Sequence, residues 1–106
     1  MNPGIQLEEK YRHLVVDLLK KHLPSDAMVW VFGSRANRKP KPFSDLDLAI
    51  DVGHPLPYST LLDLKQDFEE SELPYKVDLV DRHTLTPSFG ERVDDDRAYT
   101  LFDHAE

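Results

Sequence analysis

The chain contains no cysteine, which excludes disulfide bonds and thiolate metal sites. It also has no apolar run that approaches the ~20 residues needed by a membrane-spanning helix. Residues 1–6 lack the charged-then-apolar pattern of a signal peptide. We therefore expect a cytoplasmic protein with no membrane contact.

Positive charge is also scarce, since 13 Lys and Arg residues stand against 20 Asp and Glu residues, a formal net charge of −7. A general nucleic-acid-binding protein would show a basic face, so we do not expect that class. The positive charge is nevertheless concentrated within seven positions, at Arg35, Arg38, Lys39 and Lys41. Such a loop in an acidic chain suggests a local anion such as a phosphate tail, although charge alone favours an ordinary solvated loop.

A length of 106 residues is enough for a single small domain with one core, which we place at residues 1–106. We expect no second domain that could cradle an acceptor. A large substrate would therefore be held by a partner or by another subunit. The size and charge are compatible with either a monomer or a homodimer.

The spacing of apolar residues predicts the secondary structure. Helical spacing runs from about Ile5 to Leu23 and from Tyr58 to Glu70. Apolar runs that predict strands cover Ala27–Phe32, Asp45–Val52 and Tyr75–Val80. After Thr84 a weaker pattern, ending at Phe102, suggests a C-terminal helix, and we interpret the run 94–96 as a solvated turn or helix start. This order predicts an α/β (α+β) fold in which helices flank a small mixed β-sheet.

The most informative chemical feature is the pair Asp45 and Asp47 at the start of the second predicted strand. Side chains alternate along a strand, so both carboxylates point the same way, ~7 Å apart. Two anions on one face repel each other unless a cation lies between them. Mg²⁺ prefers hard oxygen ligands and usually shares them with phosphates. The pair therefore predicts half of a metal–phosphate site.

The third predicted strand offers a third carboxylate. Asp78 lies between Val77 and Leu79, where a charge is costly unless it is paired or bound to a metal. If this strand pairs with the second, ~4.8 Å away, three aspartates could hold two metal ions for phosphoryl-type transfer. The alternative for Asp78 is an acid tolerated on an edge strand. Asp81 is the competing candidate, and its position at the strand end predicts exposure.

Gly33 and Ser34 directly follow the first predicted strand. Glycine tolerates positive φ and lets the backbone approach a phosphate closely, while a serine hydroxyl and neighbouring N–H groups can donate to phosphate oxygens. The P-loop pattern is absent, and Gly-Ser alone is more often an ordinary turn. The five histidines show no metal-ligand spacing.

Together, these features resemble the minimal nucleotidyltransferases of the DNA polymerase β-like superfamily. Their typical Gly-Ser-Arg-Ala corresponds to residues 33–36, their Ser-Asp-Leu/Ile-Asp-Leu-Ala to residues 44–49, and their Val-Asp-Leu-Val to residues 77–80. The resemblance extends from the first helix through the third strand. The chain departs from the family pattern at Arg38, where members usually carry a glycine.

The resemblance implies the polymerase β-like nucleotidyltransferase fold and transfer of AMP from ATP with two Mg²⁺ ions. Asp45 and Asp47 would bind both ions. Asp78 would complete the coordination of the ion next to the attacking oxygen and could take the proton of that oxygen. The residues implied for binding the nucleoside triphosphate are Gly33, Ser34, Arg35 and Arg38. Members of this branch resemble antitoxins encoded beside a HEPN-domain protein, and they attach AMP to a tyrosine of that partner.

Two alternatives stay open at this point. The first is a catalytically weak or inactive binding module that neutralises a HEPN partner by complex formation, which the departure at Arg38 favours and the intact set of three aspartates argues against. The second is a transferase that acts on a small molecule, for which the chain has no second domain to hold the acceptor.

Overall fold

A computed structural model describes residues 9–33, 45–96 and 100–102 of the chain. Its helices are α1 (Glu9–His22), α2 (Tyr58–Glu69) and α3 (Pro87–Asp94). Its strands are β1 (Met28–Phe32), β2 (Leu46–Asp51), β3 (Val77–Asp81) and β4 (Thr100–Phe102). A 3₁₀ turn (Arg82–Thr84) connects β3 to α3. Within these ranges no helix combines the length and the apolarity needed to cross a bilayer.

The four strands form one mixed sheet in the order β3-β2-β1-β4. β1 is antiparallel to both of its neighbours, whereas β2 and β3 run parallel. Parallel neighbours need a long crossover connection, and α2 lies in the connection between β2 and β3. The predicted class, a small mixed sheet flanked by helices, is confirmed.

One face of the sheet, which we call the core face, carries the main hydrophobic core. β1 and β2 contribute alternating buried residues, namely Val29, Val31, Leu46, Leu48 and Ile50. α1 covers them with Val15 and Leu19, and α2 covers them with Leu64 and Phe68. Full burial of one such side chain is worth about 1.5–3 kcal/mol, so this face contributes most of the hydrophobic stabilisation.

The opposite face carries the intervening residues of the same strands and packs against α3. Trp30 of β1 and Ala49 of β2 form a smaller buried cluster with Val93 of α3. The indole Nε1 of Trp30 donates a 2.9 Å hydrogen bond to the carbonyl oxygen of Val93. This bond fixes the end of α3 over the middle of β1.

Where the structure describes both ends of a predicted helix or strand, the observed ends lie within a few residues of the predicted ones. α1 ends at His22, and Leu23 still donates its N–H to the carbonyl of Leu19 at 2.9 Å before Pro24 stops the helix. The predicted start of α1, at Ile5, lies outside the described residues.

The prediction for the C-terminal region was partly wrong. A helix is present, but it ends at Asp94, and residues 100–102 form the edge strand β4 instead of continuing it. A strand of three residues is too short to show the alternation that identifies a strand in a sequence.

Candidate active site

Asp47 and Asp78 lie side by side on the opposite face of the sheet. The parallel register of β2 and β3 pairs Asp47 directly with Asp78, and neighbouring strands are ~4.8 Å apart. Asp45, which is exposed, precedes β2 by one residue. It is close enough for its charge to act on Asp47. The conditional prediction that the third strand pairs with the second is therefore confirmed.

The electrostatics of this arrangement are unfavourable to an ionised Asp47. Burial, followed by the negative charges of Asp78 and Asp45 and a hydrogen bond with Asp78, raises the pKa of Asp47 from 3.8 to about 6. Lys76 offers only weak compensation, since its Nζ is 3.7 Å from Oδ1 of Asp78 and the lysine side chain is largely exposed. A divalent cation would relieve this repulsion.

These residues are suited to Mg²⁺, because carboxylate oxygens are the hard ligands that this ion prefers. Across the described part of the chain, no three His, Cys, Asp or Glu side chains already form a group that could enclose a metal ion. The structure supplies the Asp47–Asp78 pair together with the nearby charge of Asp45.

Gly33 borders this pair at the end of β1. Its φ is +79°, and a Cβ placed there would lie 2.8 Å from Oδ2 of Asp47. Both the left-handed backbone and the missing side chain are therefore required. The N–H of Gly33 donates to Oδ2 of Asp96 at 3.1 Å, so this donor already has a protein partner.

The other residues predicted to bind nucleotide fall outside the description. Ser34, Arg35 and Arg38 lie in the range 34–44, which separates the first two of the three described segments. Their role in binding a triphosphate stays a prediction.

The prediction that Asp81 is exposed at its strand end was wrong. Its relative accessibility is 5%, and its carboxylate accepts N–H hydrogen bonds from Leu56 at 2.7 Å and from His83 at 3.0 Å. Asp81 follows Asp78 by three residues along β3, with Leu79 and Val80 between them, so the two carboxylates lie on opposite faces of the sheet. Asp81 also caps the 3₁₀ turn. It is therefore a structural acid, and it does not compete with Asp78.

The interpretation of residues 94–96 as a solvated turn or helix start was also wrong, because the run ends α3 and two of its three acids have protein partners. Asp94 accepts two 2.8 Å hydrogen bonds from the guanidinium of Arg82. Asp96 is buried at 8% relative accessibility and contacts Gly33, 63 positions earlier in the chain. Three consecutive aspartates carry no sequence signal for such a contact, because the burial arises from the packing of α3. Only Asp95 is exposed.

Comparison with known proteins identifies the family of this chain. The family model described as polymerase beta, nucleotidyltransferase matches residues 15–98. The chain belongs to this nucleotidyltransferase family. It is 44% identical over 92 residues to the probable protein adenylyltransferase MntA of Haemophilus influenzae. The aligned residues make up 86% of this chain and 81% of the relative. The family resemblance inferred from the motifs is thereby confirmed.

Two solved structures share the fold of this nucleotidyltransferase. The crystal structure of the toxin–antitoxin MntA–HepT superimposes with a TM-score of 0.65 at 21% identity, covering 91% of this chain and 73% of the other. A crystal structure of a toxin–antitoxin with AMP-PNP gives a TM-score of 0.69 at 23% identity, covering 87% and 73%. At these identities the likeness concerns the fold alone.

Proposed function

We propose that this nucleotidyltransferase transfers AMP from ATP to a tyrosine of a HEPN-domain toxin and thereby acts as its antitoxin, with Mg²⁺ as cofactor. The observation that carries the proposal is the register pairing of Asp47 with Asp78 on one face, against Gly33. This arrangement concentrates negative charge where a metal and a triphosphate would meet.

Three properties of the relatives support the individual parts of the proposal. The MntA relative is named as a protein adenylyltransferase, which suggests AMP as the group and a protein as the acceptor. A structural relative is a complex of MntA with HepT, which suggests a toxin partner. Another contains AMP-PNP, which is consistent with an adenine nucleotide as substrate.

Asp45, Asp47 and Asp78 would hold two Mg²⁺ ions, as the family resemblance implies. When bound, the ions supply positive charge that offsets the triphosphate and favours ionisation of an acceptor hydroxyl. Asp47 needs this compensation, because burial and its acidic neighbours raise its pKa to about 6.

The residues of the chain would then direct the transfer. The acceptor hydroxyl oxygen attacks the α-phosphorus of ATP and forms a new P–O bond. The bond from that phosphorus to the oxygen bridging to the β-phosphate breaks, and pyrophosphate leaves. Asp78 accepts the hydroxyl proton. Its side chain is 44% exposed, so an acceptor from another protein can reach it.

A cavity beside Asp78 provides room for that acceptor. Its volume is ≈ 480 Å³, and it lies between α2 and the residues that lead into β3. Phe68 and Tyr75 contribute apolar and aromatic lining, and Lys65 and Lys76 contribute positive charge. A phenol ring fits a cavity of this size and mixed chemistry, which is within the ~300–1,000 Å³ range of ligand sites.

The test is the intact mass of a HEPN-domain partner after incubation with the purified chain, ATP and Mg²⁺. We expect one or more AMP additions with the wild-type chain and none with Asp47→Asn. The matched control is Asp63→Asn, which removes an exposed carboxylate from α2, the helix packed on the core face. That variant should transfer AMP at the wild-type rate.

The mass measurement, combined with an assay of whether the partner's toxic activity is neutralised, separates the alternatives. If Asp47→Asn still silences the partner and neither chain adds mass to it, the protein is a binding module and the proposal is wrong. If the partner stays unmodified while a small hydroxyl compound is adenylylated, the acceptor assignment is wrong.

A further inference from the structure

A buried carboxylate outside the metal-binding aspartates holds the turn on which the site depends. Asp96 follows α3 by two residues, and its Oδ2 accepts the N–H of Gly33 at 3.1 Å. A carboxylate at 8% relative accessibility is costly to bury unless it is hydrogen-bonded. The contact with Gly33 supplies one such bond.

The position of Asp96 is in turn fixed by the way α3 is attached to the sheet. Arg82, just after β3, binds both carboxylate oxygens of Asp94 at 2.8 Å. The indole of Trp30 binds the carbonyl of Val93. Gly90 lets the guanidinium approach, since a Cβ there would lie 2.8 Å from Nη1 of Arg82. These anchors precede Asp96 by two to six residues, so the carboxylate is presented from a well-held element.

The consequence of the contact reaches Asp47. Gly33 adopts φ +79°, and because it has no Cβ, Oδ2 of Asp47 can lie close to its backbone. A shift of the Gly33 backbone would therefore change the space available to the Asp47 carboxylate.

We propose that Asp96 is a positioning residue for nucleotide transfer: it fixes the Gly33 turn and, through that turn, the metal-binding carboxylate of Asp47. The inference rests on the proposed function, because positioning matters only if the site binds Mg²⁺ and ATP. Asp96 acts through Gly33 and does not itself touch the reacting atoms.

The test combines two measurements on the purified full chain. Amide hydrogen exchange, followed by NMR, reports on the Gly33 N–H, and calorimetry reports the Kd for ATP in the presence of Mg²⁺. In Asp96→Ala we expect exchange at Gly33 to accelerate and the Kd to rise roughly tenfold, as the loss of a hydrogen bond to a charged group predicts. Asp96→Asn keeps an acceptor oxygen and should restore both values to within about twofold of the wild type.

The matched control is Asp95→Ala, which removes the same charge from the exposed neighbouring residue. It should leave both measurements unchanged. A lower melting temperature in Asp96→Ala with unchanged Kd would reduce Asp96 to a structural residue and overturn the proposal. So would a Gly33 amide that exchanges equally fast in the wild type and in Asp96→Ala.

If Asp96→Ala does not fold, the wild type and Asp96→Asn still decide the matter. Fast exchange of Gly33 in the folded wild-type chain, or failure of Asn to preserve the Kd, overturns the proposal. Failure of the proposed function has a different signature, because the wild-type chain would then bind no ATP with Mg²⁺ while the exchange measurement still reports the hydrogen bond.

Discussion

The two faces of the sheet are built from the same strands but have opposite properties. On the core face, alternating positions of β2 carry Leu46, Leu48 and Ile50, all fully buried beneath α1 and α2. On the opposite face, the intervening position 47 carries a carboxylate that its neighbour Asp78 repels. Since side chains alternate strictly along a strand, one six-residue segment contributes both to stability and to the candidate site.

This small fold places most of its apolar burial on one face of the sheet and the carboxylates of the candidate site on the other. Apolar burial on the core face stabilises the sheet and fixes its register, because a slip by one residue would exchange the two faces. The opposite face can then hold like charges close together, at some cost in stability. The difference predicts that substitutions on the two faces change different measured quantities.

The largest effect on stability should come from the core face. Leu64→Ala removes a fully buried side chain of α2 and should lower the free energy of unfolding by about 2–5 kcal/mol. The matched control is Leu62→Ala on the same helix, where the side chain is 44% exposed and the loss should stay below about 1 kcal/mol. Urea denaturation measures both.

The rate of AMP transfer per folded molecule should be unchanged in Leu64→Ala. A fall in this rate that persists under conditions where the variant is fully folded would contradict the separation of the two faces.

A smaller effect on stability, combined with a loss of activity, is expected at the boundary between β1 and the site. Gly33→Ala forces a side chain onto φ +79° and into contact with Oδ2 of Asp47 at 2.8 Å. We expect a loss of about 1–3 kcal/mol in unfolding free energy and a weaker affinity for ATP with Mg²⁺.

Gly53→Ala is the matched control for Gly33→Ala. Gly53 has a similar φ of +85°, but a Cβ there would have nothing within 4 Å. It should share the backbone strain and keep the ATP affinity. Equal affinities in the two variants would show that the contact with Asp47 has no functional effect.

Much of this arrangement could be predicted from the sequence because it follows from local patterns. Alternation around Asp47 and around Asp78 defines which face each carboxylate occupies. The pairing of their strands could be stated only as a condition, since strand order depends on contacts between distant parts of the chain. The parallel register then placed both acids side by side.

The wrong predictions of exposure concern acids that are buried by contacts with distant parts of the chain. Asp81 is at a strand end, where exposure is the usual outcome. Its carboxylate instead accepts a hydrogen bond from the backbone N–H of Leu56, 25 positions earlier. Asp96 ends a run of three acids that is typical of a solvated segment, and its partner is Gly33. Neither contact has a local pattern that could reveal it.

The smallest predicted effect is the pH dependence of stability that Asp47 causes on the opposite face. The pKa of Asp47 is raised from 3.8 to about 6 by burial and by its acidic neighbours. The folded chain therefore holds this proton more tightly than the unfolded chain does. The stabilising contribution of this group is present at about pH 4 and below, and it is lost as the pH rises to about 6. Asp47→Asn should therefore match the wild type at about pH 4 and be more stable at about pH 7.

We expect that difference to be about 1 kcal/mol, because the half-buried side chain is partly screened by solvent. Urea denaturation across this pH range measures it, with Asp63→Asn as the exposed-carboxylate control whose difference from the wild type should not change over the range. Mg²⁺ with ATP should stabilise the wild type more than Asp47→Asn, since the cation relieves the repulsion only where the carboxylate is present. A difference between Asp47→Asn and the wild type that stays constant from about pH 4 to about pH 7 would contradict the raised pKa of Asp47, and with it the burial and the repulsion by Asp78 and Asp45 that cause it.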